Sequence, residues 1–565
     1  TTNILINNGT TSCDWNNSGS YAGNLIVGTG TYRSINGTNN KCGNLTVATG
    51  GTLDGSDDTL TLSGDFTTSG GLIGKSALTF DETAQSNKVA IPDDSTLDLT
   101  TAATLMAWVK IPTDAGAKQR IISKTFRAYE MSVESGRLSA YFGTDGAGNY
   151  NAIFTPSSVD YRDGKWHHFA ITLDGSSSLV KLYVDGKLIT QESSAINFQN
   201  KSSDLSLGFR SDGNTSSDES WMDGEIAVAS VWNNVLTEAQ IRSKIFSDFA
   251  SLDSNTGCVA FYQFDEGSGT AVADSTSNNN DGTASSSSLW VGAGTFTHGT
   301  STLTMSGSNK LINYGGGNFD IHNLNVTGTI TLNDIDGGGS SLRINGDTFT
   351  CGSGATLSSD TTEILRFMNG MDAGTVTFAD PATNVVGLDK IFNDMSSPRS
   401  VNIPEMTAFF FRNNGTGTTV ATGNHTFTAE LEVNNGTYNA NSNTIDAKVV
   451  DVNGGTLDLR NSTCQFKTTG SNDKLELSAG ATFLTGNTLI EGHNAGNHTF
   501  LFAPAAGNFE VVGTLKFMEI QNADGDITVI GSVINCSEED GFENQAMIRQ
   551  FHHTLDTQQL LDADE

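Results

Sequence analysis

The sequence predicts an all-β protein in which two β-solenoid-like flanks enclose a separate two-layer β domain. Seven prolines stand against 62 glycines, and short alternating apolar runs are separated by Gly, Asn and Asp. This pattern is typical of strands and turns. Similar four-residue strands recur in both flanks, whereas tryptophan and charge concentrate in the middle. A chain of 565 residues is also too long for one core, so two to four domains are expected.

The N-terminal flank, residues 1–74, contains NLIV at 24–27, NLTV at 44–47 and TLTL at 59–62. Each run has apolar residues at positions i and i+2, and the first two runs start 20 residues apart. A single rung with two inward residues cannot bury them, but stacked rungs form a continuous thin core. The spacing therefore predicts a solenoid.

The C-terminal flank, residues 288–541, repeats the pattern, for example in NLNV at 323–326 and ELEV at 430–433. The separations from Leu324 to Leu342, from Leu431 to Val450 and from Leu457 to Leu475 are 18 or 19 residues. This period favours a solenoid over a set of small β-sandwiches with coincidental spacing. The repeat is irregular at about 351–412, where we expect FFF at 409–411 to dock or bulge out.

The tail, residues 542–565, is acidic and has helical spacing at Ile548, Phe551 and Leu555. It predicts either a short C-terminal helix or a frayed acidic end.

The middle domain, residues 75–287, contains WHHFAITL at 166–173. On a strand His167 and His168 point to opposite faces, so they cannot share one metal ion and a structural role is expected. Asp185-Gly186 predicts a hairpin turn. LTEAQIRSKIF at 236–246 predicts a short helix with Thr237 as its N-cap.

The charge balance argues against several classes of partner. Only 16% of residues are charged, yet the net charge is −33. Such a chain is not expected to bind nucleic acid through its phosphates, and no apolar run is long enough for membrane insertion. No signal peptide is evident in the opening TTNILINNG. Six scattered cysteines without a CxxC pair predict neither a disulfide framework nor a zinc site.

Three segments of the middle domain carry a family resemblance. They are ALTFDETAQSNKVAIPDDSTLDLTTAATLMAWVKI at 77–111, DGKWHHFAITLDGSSSLVKLYVDGKL at 163–188 and LSLGFRSDGNTSSDESWMDGEIAVASVWNNVLTEAQI at 205–241. In this order they resemble a laminin-G-like, concanavalin-A-like lectin jelly roll over about residues 75–283. The segment 258–283 resembles one that usually precedes the first of these strands, so it either closes the sandwich or begins a second unit.

The resemblance implies binding of carbohydrate or protein surfaces, often with calcium. The loop SDGNTSSDESWMDG gives weak calcium candidates, namely Asp212, Asp218, Glu219 and Asp223. Asp212, Asn214 and Trp221 are weak ligand-binding candidates in the same loop. A solvated acidic loop, with Trp221 in the core, is the alternative. Many relatives carry an acidic residue in the following strand, where this chain has Ala227 and Ala229.

No catalytic residues are predicted, and we expect a non-enzyme. The glucanase signature ExDxxE occurs at Glu538, Asp540 and Glu543, but it lies in the acidic tail outside the jelly roll. The pairs Asp334 with Asp336 and Asp524 with Asp526 are interpreted as turn residues. No GxSxG, HExxH or phosphate-binding loop is present.

The combined pattern resembles phage fibre or appendage proteins, which predicts a structural and adhesive protein on a virion surface or outside cells. Its expected partners are other virion or surface proteins, a glycan ligand and further copies of itself, with a homotrimer as the guess. The alternatives are a secreted bacterial adhesin or extracellular filament protein and, third, a glycan-degrading tailspike.

Overall fold

A computed structural model describes most of the chain. The described residues are 4–15, 23–34, 40–55, 59–70, 72, 76–125, 127–199, 202–210, 220–291, 294–314, 318–334, 340–359, 363–368, 375–380, 388–395, 400–403, 405–460, 462–468, 474–478, 481–485, 487–492, 499–502, 509–511, 515–518 and 534–536. The predicted tail at 542–565, together with Glu538, Asp540, Glu543, Asp524 and Asp526, lies outside them. Within the described part, no helix has the length and apolar character needed to cross a membrane.

The described elements fall into three groups along the chain. The N-terminal flank holds β1 Ile4–Trp15, β2 Leu25–Ser34, β3 Asn40–Cys42, β4 Leu45–Ala48, β5 Gly51–Asp54, β6 Thr59–Leu62 and β7 Phe66–Gly70. The middle domain holds β8 Leu78–Phe80, β9 Val89–Ile91, β10 Ala102–Lys110, β11 Lys118–Ser123, β12 Tyr129–Glu134, β13 Arg137–Gly143, β14 Tyr150–Phe154, β15 Trp166–Asp174, β16 Leu179–Val184, β17 Lys187–Ser193, β18 Leu205–Leu207, β19 Phe209–Arg210, β20 Ser220–Trp221, β21 Gly224–Trp232, helix α1 Glu238–Lys244, β22 Cys258–Tyr262, β23 Ala271–Val272 and β24 Gly282–Ala284. It also contains the 3-10 turns Ser95–Leu97, Phe249–Ser251 and Ser287–Leu289.

In the residues that the structure describes, the C-terminal flank contains only β-strands. They are β25 Thr295–Thr297, β26 Thr302–Met305, β27 Lys310–Tyr314, β28 Asn318–Ile321, β29 Asn323–Val326, β30 Thr329–Asp334, β31 Ser341–Ile344, β32 Thr348–Cys351, β33 Thr356–Ser359, β34 Ile364–Phe367, β35 Thr375–Phe378, β36 Leu388–Asn393, β37 Ser400–Ile403, β38 Met406–Asn413, β39 Thr418–Ala421, β40 His425–Val433, β41 Thr437–Asn439, β42 Ile445–Val452, β43 Thr456–Asp458, β44 Thr463–Thr468, β45 Lys474–Leu477, β46 Thr482–Thr485, β47 Asn487–Gly492, β48 Thr499–Phe502, β49 Phe509–Val511, β50 Leu515–Met518 and β51 Ile534–Cys536.

Both flanks are a β-solenoid, as predicted. Strands of successive rungs pair in parallel, for example β2 with β4 through Leu25 opposite Leu45. Alternate residues point inward, so TLTL of β6 buries Leu60 and Leu62 and leaves its threonines half exposed. One core cluster contains buried residues from both flanks, from Leu25 to Phe483. The two flanks are therefore one solenoid.

The middle domain is inserted into one rung of this solenoid. In the preceding rung, β4 and β5 are joined by the turn Thr49-Gly50. In the next rung, β7 pairs with β4, β25 with β5 and β26 with β6. Of these three strands, β7 precedes the middle domain in sequence, whereas β25 and β26 follow it. Residues 71–294 thus replace a two-residue corner, and the rung is completed by strands from both sides of the insertion.

Two of the three intervals from which the period was predicted are not rung repeats. Leu324 lies opposite Phe349, not in line with Leu342, and Leu457 lies opposite Phe483, not in line with Leu475. Each rung holds more than one similar short strand, so those two intervals join different faces of the solenoid. The interval from Leu431 to Val450 is a true rung repeat.

The segment 351–412, predicted to be irregular, continues the stack. In this stretch Leu342, Leu365, Ile391, Phe411 and Leu431 are successive partners in parallel strands. The expectation of a docked or bulging element was wrong for these strands, because the length of the connections varies while the register is kept. The exception is Phe409, which lies at a register shift in β38 and is exposed.

The middle domain is a two-sheet jelly roll. One sheet has the order β17-β16-β15-β10-β21-β22, with β8 paired to β21. The other has the order β14-β13-β12-β11-β18-β9-β24-β23. Apolar residues facing inward from both sheets form a single core cluster. Within the segment 258–283, β22 joins the first sheet and β23 with the start of β24 joins the second. That segment therefore closes the sandwich.

The local sequence predictions for this domain are confirmed. His167 lies on the same side of β15 as the core residues Phe169 and Ile171, whereas His168 packs on Trp108 of the outer face. Asp185 and Gly186 join β16 to β17 with positive φ angles of 51° and 76°. Thr237 caps α1 in a capping box with Gln240.

The outer face of the first sheet is docked on the solenoid. Trp108, Trp166 and Val228 form a buried cluster with Ile26 and Ala48 of the solenoid rungs. At the edge of this interface Lys110 Nζ lies 2.8 Å from Glu225 Oε1 and donates to the Thr49 carbonyl oxygen at 3.1 Å. Both side chains are nearly buried, at 13% and 12% exposure. Burial raises the pKa of Glu225, and Lys110 opposes that shift.

The Lys110–Glu225 pair gives the first testable prediction. Lys110→Met leaves a buried carboxylate without its partner and is expected to cost about 3–5 kcal/mol of unfolding free energy, whereas Lys110→Met/Glu225→Leu costs less than the single change. Urea unfolding followed by tryptophan fluorescence measures both variants and the single change Glu225→Leu. A double variant whose loss equals the sum of the two single losses would contradict the pairing.

His167 gives a prediction about pH. Burial alone would lower its pKa, but Asp163 and Asp185, whose oxygens contact the two ring nitrogens, raise it to about 9. Because this folded value lies above the unfolded value of about 6.5, the stabilisation is complete below about pH 6.5 and is lost as the pH rises to about 9.

The expected loss across that pH window is about 3 kcal/mol, from a shift of the His167 pKa from 6.5 to about 9. Denaturant unfolding of the unsubstituted protein and of His167→Gln between pH 6 and pH 10 measures it. The variant should show a flatter pH profile. Equal slopes for the two proteins would rule out a charged His167 as the cause.

Candidate functional site

The candidate site is the outer face of the sheet that contains β11 to β14. On β12, Tyr129, Met131 and Val133 enter the core, so Glu130, Ser132 and Glu134 point to the other side. The antiparallel register places these side chains in rows across the sheet. The rows are Lys118–Glu134–Arg137, Arg120–Ser132–Ser139–Phe154 and Ser123–Glu130–Tyr141–Ala152.

The centre of this face holds a charged network of Arg120, Glu130, Glu134 and Arg210. Arg120 Nη1 lies 3.0 Å from Glu130 Oε1 and 3.3 Å from Glu134 Oε2, and Arg210 Nη1 lies 3.6 Å from Glu130 Oε1. The Arg120 and Glu130 side chains are 1% and 0% exposed. Burial acts to lower the pKa of Arg120, but Glu130 and Glu134 outweigh it and the pKa is raised.

Hydroxyl groups complete the network. Ser123 Oγ donates to Glu130 Oε2 at 2.8 Å, and Ser132 Oγ lies 3.2 Å from Glu130 Oε1. Ser132 Oγ also lies 3.0 Å from Ser139 Oγ. With these partners, the buried carboxylate of Glu130 is held in one position.

An aromatic ridge of Tyr141, Tyr150 and Phe154 borders the network. The centroid of the Tyr141 ring lies 5.9 Å from that of Phe154 and 6.4 Å from that of Tyr150. The Tyr141 hydroxyl donates to Glu134 Oε2 at 2.6 Å. Burial and this hydrogen bond raise the pKa of Tyr141. Tyr150 is 52% exposed, so its ring offers a free surface at the edge of the ridge.

Two cations stack on the ridge, and a tight loop positions its outermost ring. The Arg120 guanidinium lies 5.4 Å from the Tyr141 ring centroid, and that of Arg137 lies 4.7 Å from the Phe154 centroid. In the loop before β14, Asp145 accepts hydrogen bonds from the backbone N–H groups of Ala147, Gly148 and Asn149. These bonds lower the pKa of Asp145. The loop that presents Tyr150 is therefore tied to one carboxylate.

Of the predicted site residues, Trp221 lies in the hairpin β19–β20 and Asp223 follows that hairpin. Trp221 is partly buried, and its ring centroid lies 4.1 Å from that of Phe209. Lys88 Nζ lies 4.8 Å from the Phe209 ring centroid. Asp212, Asn214, Asp218 and Glu219 lie outside the described residues. Their ligand-binding and calcium roles stay predictions.

Asp223 is described and sits at the start of β21. Its backbone N–H donates to Gln119 Oε1. Burial raises its pKa, and the nearby charges of Glu82, Asp81 and Asp114 add to this shift. Among the described residues, however, no group of three or more His, Cys, Asp or Glu side chains could hold a metal ion. The calcium role of Asp223 also stays a prediction.

The sequence analysis did not identify the ridge or the network, although a signal was present. YEMSVE and RLSAYFG alternate core residues with Glu, Ser, Arg and Tyr on two successive strands. Alternating charges that face away from a core indicate a polar sheet face. The low exposure of that face could not be foreseen.

The site lies on the side of the jelly roll opposite the solenoid. The first sheet uses its outer face to contact the solenoid through Trp108 and Trp166 and to support α1 through Trp232. The second sheet packs on the inner face of the first. Its own outer face, with the ridge and the network, therefore points away from the solenoid.

Comparisons with known proteins agree with this fold. Residues 82–242 match a laminin G family described as the Concanavalin A-like lectin/glucanases superfamily. Nothing among the curated proteins matches the sequence. Among solved structures, the chain is similar to a Bacteroides ovatus protein whose name gives carbohydrate binding as a candidate role. The identity is 17% and the TM-score 0.30, over 37% of this chain and 57% of that one.

Two further solved structures are similar to this chain. The LG4-5 domains of the mouse laminin alpha1 chain share 16% identity with a TM-score of 0.23, over 29% of this chain and 44% of that one. A SAP-like pentraxin from Limulus polyphemus shares 17% identity with a TM-score of 0.21, over 29% and 82%. Between its two solenoid segments, the chain carries a laminin-G-like domain of the concanavalin A-like lectin type.

Proposed function

We propose that this protein is a non-enzymatic structural and adhesive protein that binds carbohydrate through the aromatic ridge of its jelly roll. The observation that carries the proposal is Tyr150, a half-exposed ring in an ordered aromatic group beside charged side chains. The lectin-type family of the domain supports the same class of ligand.

The chemistry of the ridge suits a sugar chain. The C–H faces of a sugar ring pack on aromatic rings, while its hydroxyl groups need charged or amide partners at the rim. Glu134 is 25% exposed and can accept from a hydroxyl group beside the ridge. Arg137 is partly exposed, and its guanidinium is held over Phe154. Lys118, in the same row, is exposed.

The architecture supports a virion fibre or appendage as the setting, at a virion surface or outside cells. A long solenoid supplies length and stiffness, and the ridge faces away from it. Under this proposal the partners are other virion or surface proteins, with a homotrimer as the assembly. A secreted bacterial adhesin or extracellular filament protein uses the same features, and it is the second candidate.

Imaging of the native material by electron microscopy, with mass spectrometry of what co-purifies, separates these settings. Capsid or tail proteins in the same particle support the virion proposal. Cell-envelope or filament proteins instead replace it with the adhesin. A reducing-sugar assay on host polysaccharide tests the third candidate, a tailspike, because release of reducing ends would overturn the non-enzymatic proposal.

The ridge gives a prediction about binding. Tyr150→Ala removes the exposed stacking surface and is expected to weaken binding to the recognised polysaccharide about tenfold, which corresponds to about 1.4 kcal/mol. A glycan array identifies the polysaccharide, and titration calorimetry measures the dissociation constant.

The matched control is Val159→Ala, since Val159 is similarly exposed at 47% but contributes no ring to the ridge. It should bind like the unsubstituted protein. If the two variants bind equally well, the ridge is not the binding surface.

A further inference from the structure

A concave surface, separate from the ridge, lies at the end of the jelly roll. It is a cleft of about 600 Å³ where β10 and β22 begin and β21 has just ended. The 3-10 turn Ser95–Leu97 and the loop that follows it form one wall, and Gly257, Cys258 and Val259 contribute to another. Its volume is within the range of small-molecule sites.

Polar side chains of complementary kinds line this cleft. They are the carboxylate of Asp98, the amides of Asn233 and Asn278, and the hydroxyl groups of Ser95, Thr100 and Thr101. Asn278 Nδ2 donates to the Val259 carbonyl oxygen at 2.9 Å, which orients its amide oxygen as an acceptor. Leu99 and Val259, both buried, add apolar surface.

The carboxylate in the cleft is held by a buried cation. Lys124 is 1% exposed, and its Nζ lies 3.2 Å from Asp98 Oδ1 and 2.6 Å from Asp93 Oδ1. Asp98 itself is 23% exposed, so it is fixed from behind and open toward the cleft. A fixed acceptor costs a ligand less ordering entropy than a mobile side chain.

The charges select the class of ligand. Two carboxylates around one ammonium group leave the wall slightly negative, which disfavours an anion. Lys124 already neutralises much of Asp98, which weakens the attraction for a cation. The class of ligand that remains is a neutral molecule with hydroxyl groups. Its hydroxyl groups can donate to Asp98 and Asn278 and can accept from Asn233, Ser95 and Thr100.

We infer that this cleft binds a neutral, hydroxyl-rich ligand of the size of a single sugar unit. It is separate from the aromatic ridge, since the ridge lies on the outer face of the β11–β14 sheet and the cleft at the end of the sandwich. The jelly roll then holds two sugar sites, and a chain or branched glycan can engage both.

The test uses the full chain and four neutral monosaccharides as probes, namely glucose, galactose, mannose and N-acetylglucosamine. Saturation-transfer NMR followed by titration measures binding, and a dissociation constant in the millimolar range is expected for at least one. Asn233→Ala removes an exposed amide, and Thr100→Trp fills the cleft from an exposed position. Each should weaken binding at least tenfold.

Gln191→Trp is the matched control, because it adds the same ring at an exposed position of β17. It should leave monosaccharide binding unchanged. The ridge-dependent polysaccharide affinity should in turn be unaffected by Asn233→Ala.

Four results would overturn the inference. They are no binding of any of the four sugars, equal loss in the Gln191→Trp control, monosaccharide binding that Tyr150→Ala abolishes and Asn233→Ala leaves intact, and, in a separate calcium titration, calcium binding that Asn233→Ala abolishes. The third would assign the sugar to the ridge alone and would support the proposed function while removing the second site. If instead polysaccharide does not bind at the ridge while monosaccharide binds in the cleft, the proposed function is removed and the second site stands.

Discussion

The architecture depends on parallel stacking that continues across an insertion of more than 200 residues. β26 lies in register on β6 and β27 on β7, although the jelly roll separates them in sequence. This is possible because the two ends of the insertion meet. The Gly294 N–H donates to the Thr68 carbonyl oxygen, and a Cβ at Gly294 would lie 2.2 Å from the Val47 carbonyl oxygen. Loop closure costs little more for long loops than for short ones, so a folded domain is tolerated where its ends are this close.

The insertion is also fixed against the solenoid. Trp108 and Trp166 pack on Ile26 and Ala48, and Trp108 Nε1 donates to the Ile245 carbonyl oxygen at 2.6 Å. The packing of this sheet on the solenoid explains why the strand WHHFAITL is buried on both of its sides. One side fills the core of the jelly roll, and the other is covered by the solenoid and α1. A strand that is apolar on both faces indicates that both faces are covered. The orientation of the jelly roll is therefore set by packing.

Sequence patterns predicted the repeated elements well and the unrepeated contacts poorly. The solenoid, the Asp185-Gly186 turn and the Thr237 cap follow from local periodicity or turn chemistry, and the jelly roll follows from the family resemblance of three segments. The rung register could not be predicted in this way, because each rung contains several short strands with similar sequences. An interval such as Leu324 to Leu342 therefore joins strands on different faces of the solenoid. For the site, the sequence pointed to the acidic loop before β21, since oxygen-rich loops are visible in sequence. The rings of the ridge lie on β13 and β14. The register that brings them side by side is visible only in the fold.

The charged network beside the ridge is better explained by recognition of a ligand than by stability. Burying Arg120 and Glu130 removes two charges from water, and such pairs seldom stabilise a fold more than apolar residues of the same size would. The rest of the domain uses apolar packing freely, in its core and against the solenoid. The Arg120–Glu130 network, on the face opposite the solenoid, is thus costly as pure scaffold, as are the other buried charges of the domain, Lys124 with Asp98 and Lys110 with Glu225. It does, however, hold Glu134 and the Tyr141 ring in fixed positions beside the exposed Tyr150. Fixed acceptors and fixed rings lower the entropy lost on binding, so the network suits recognition better than stability.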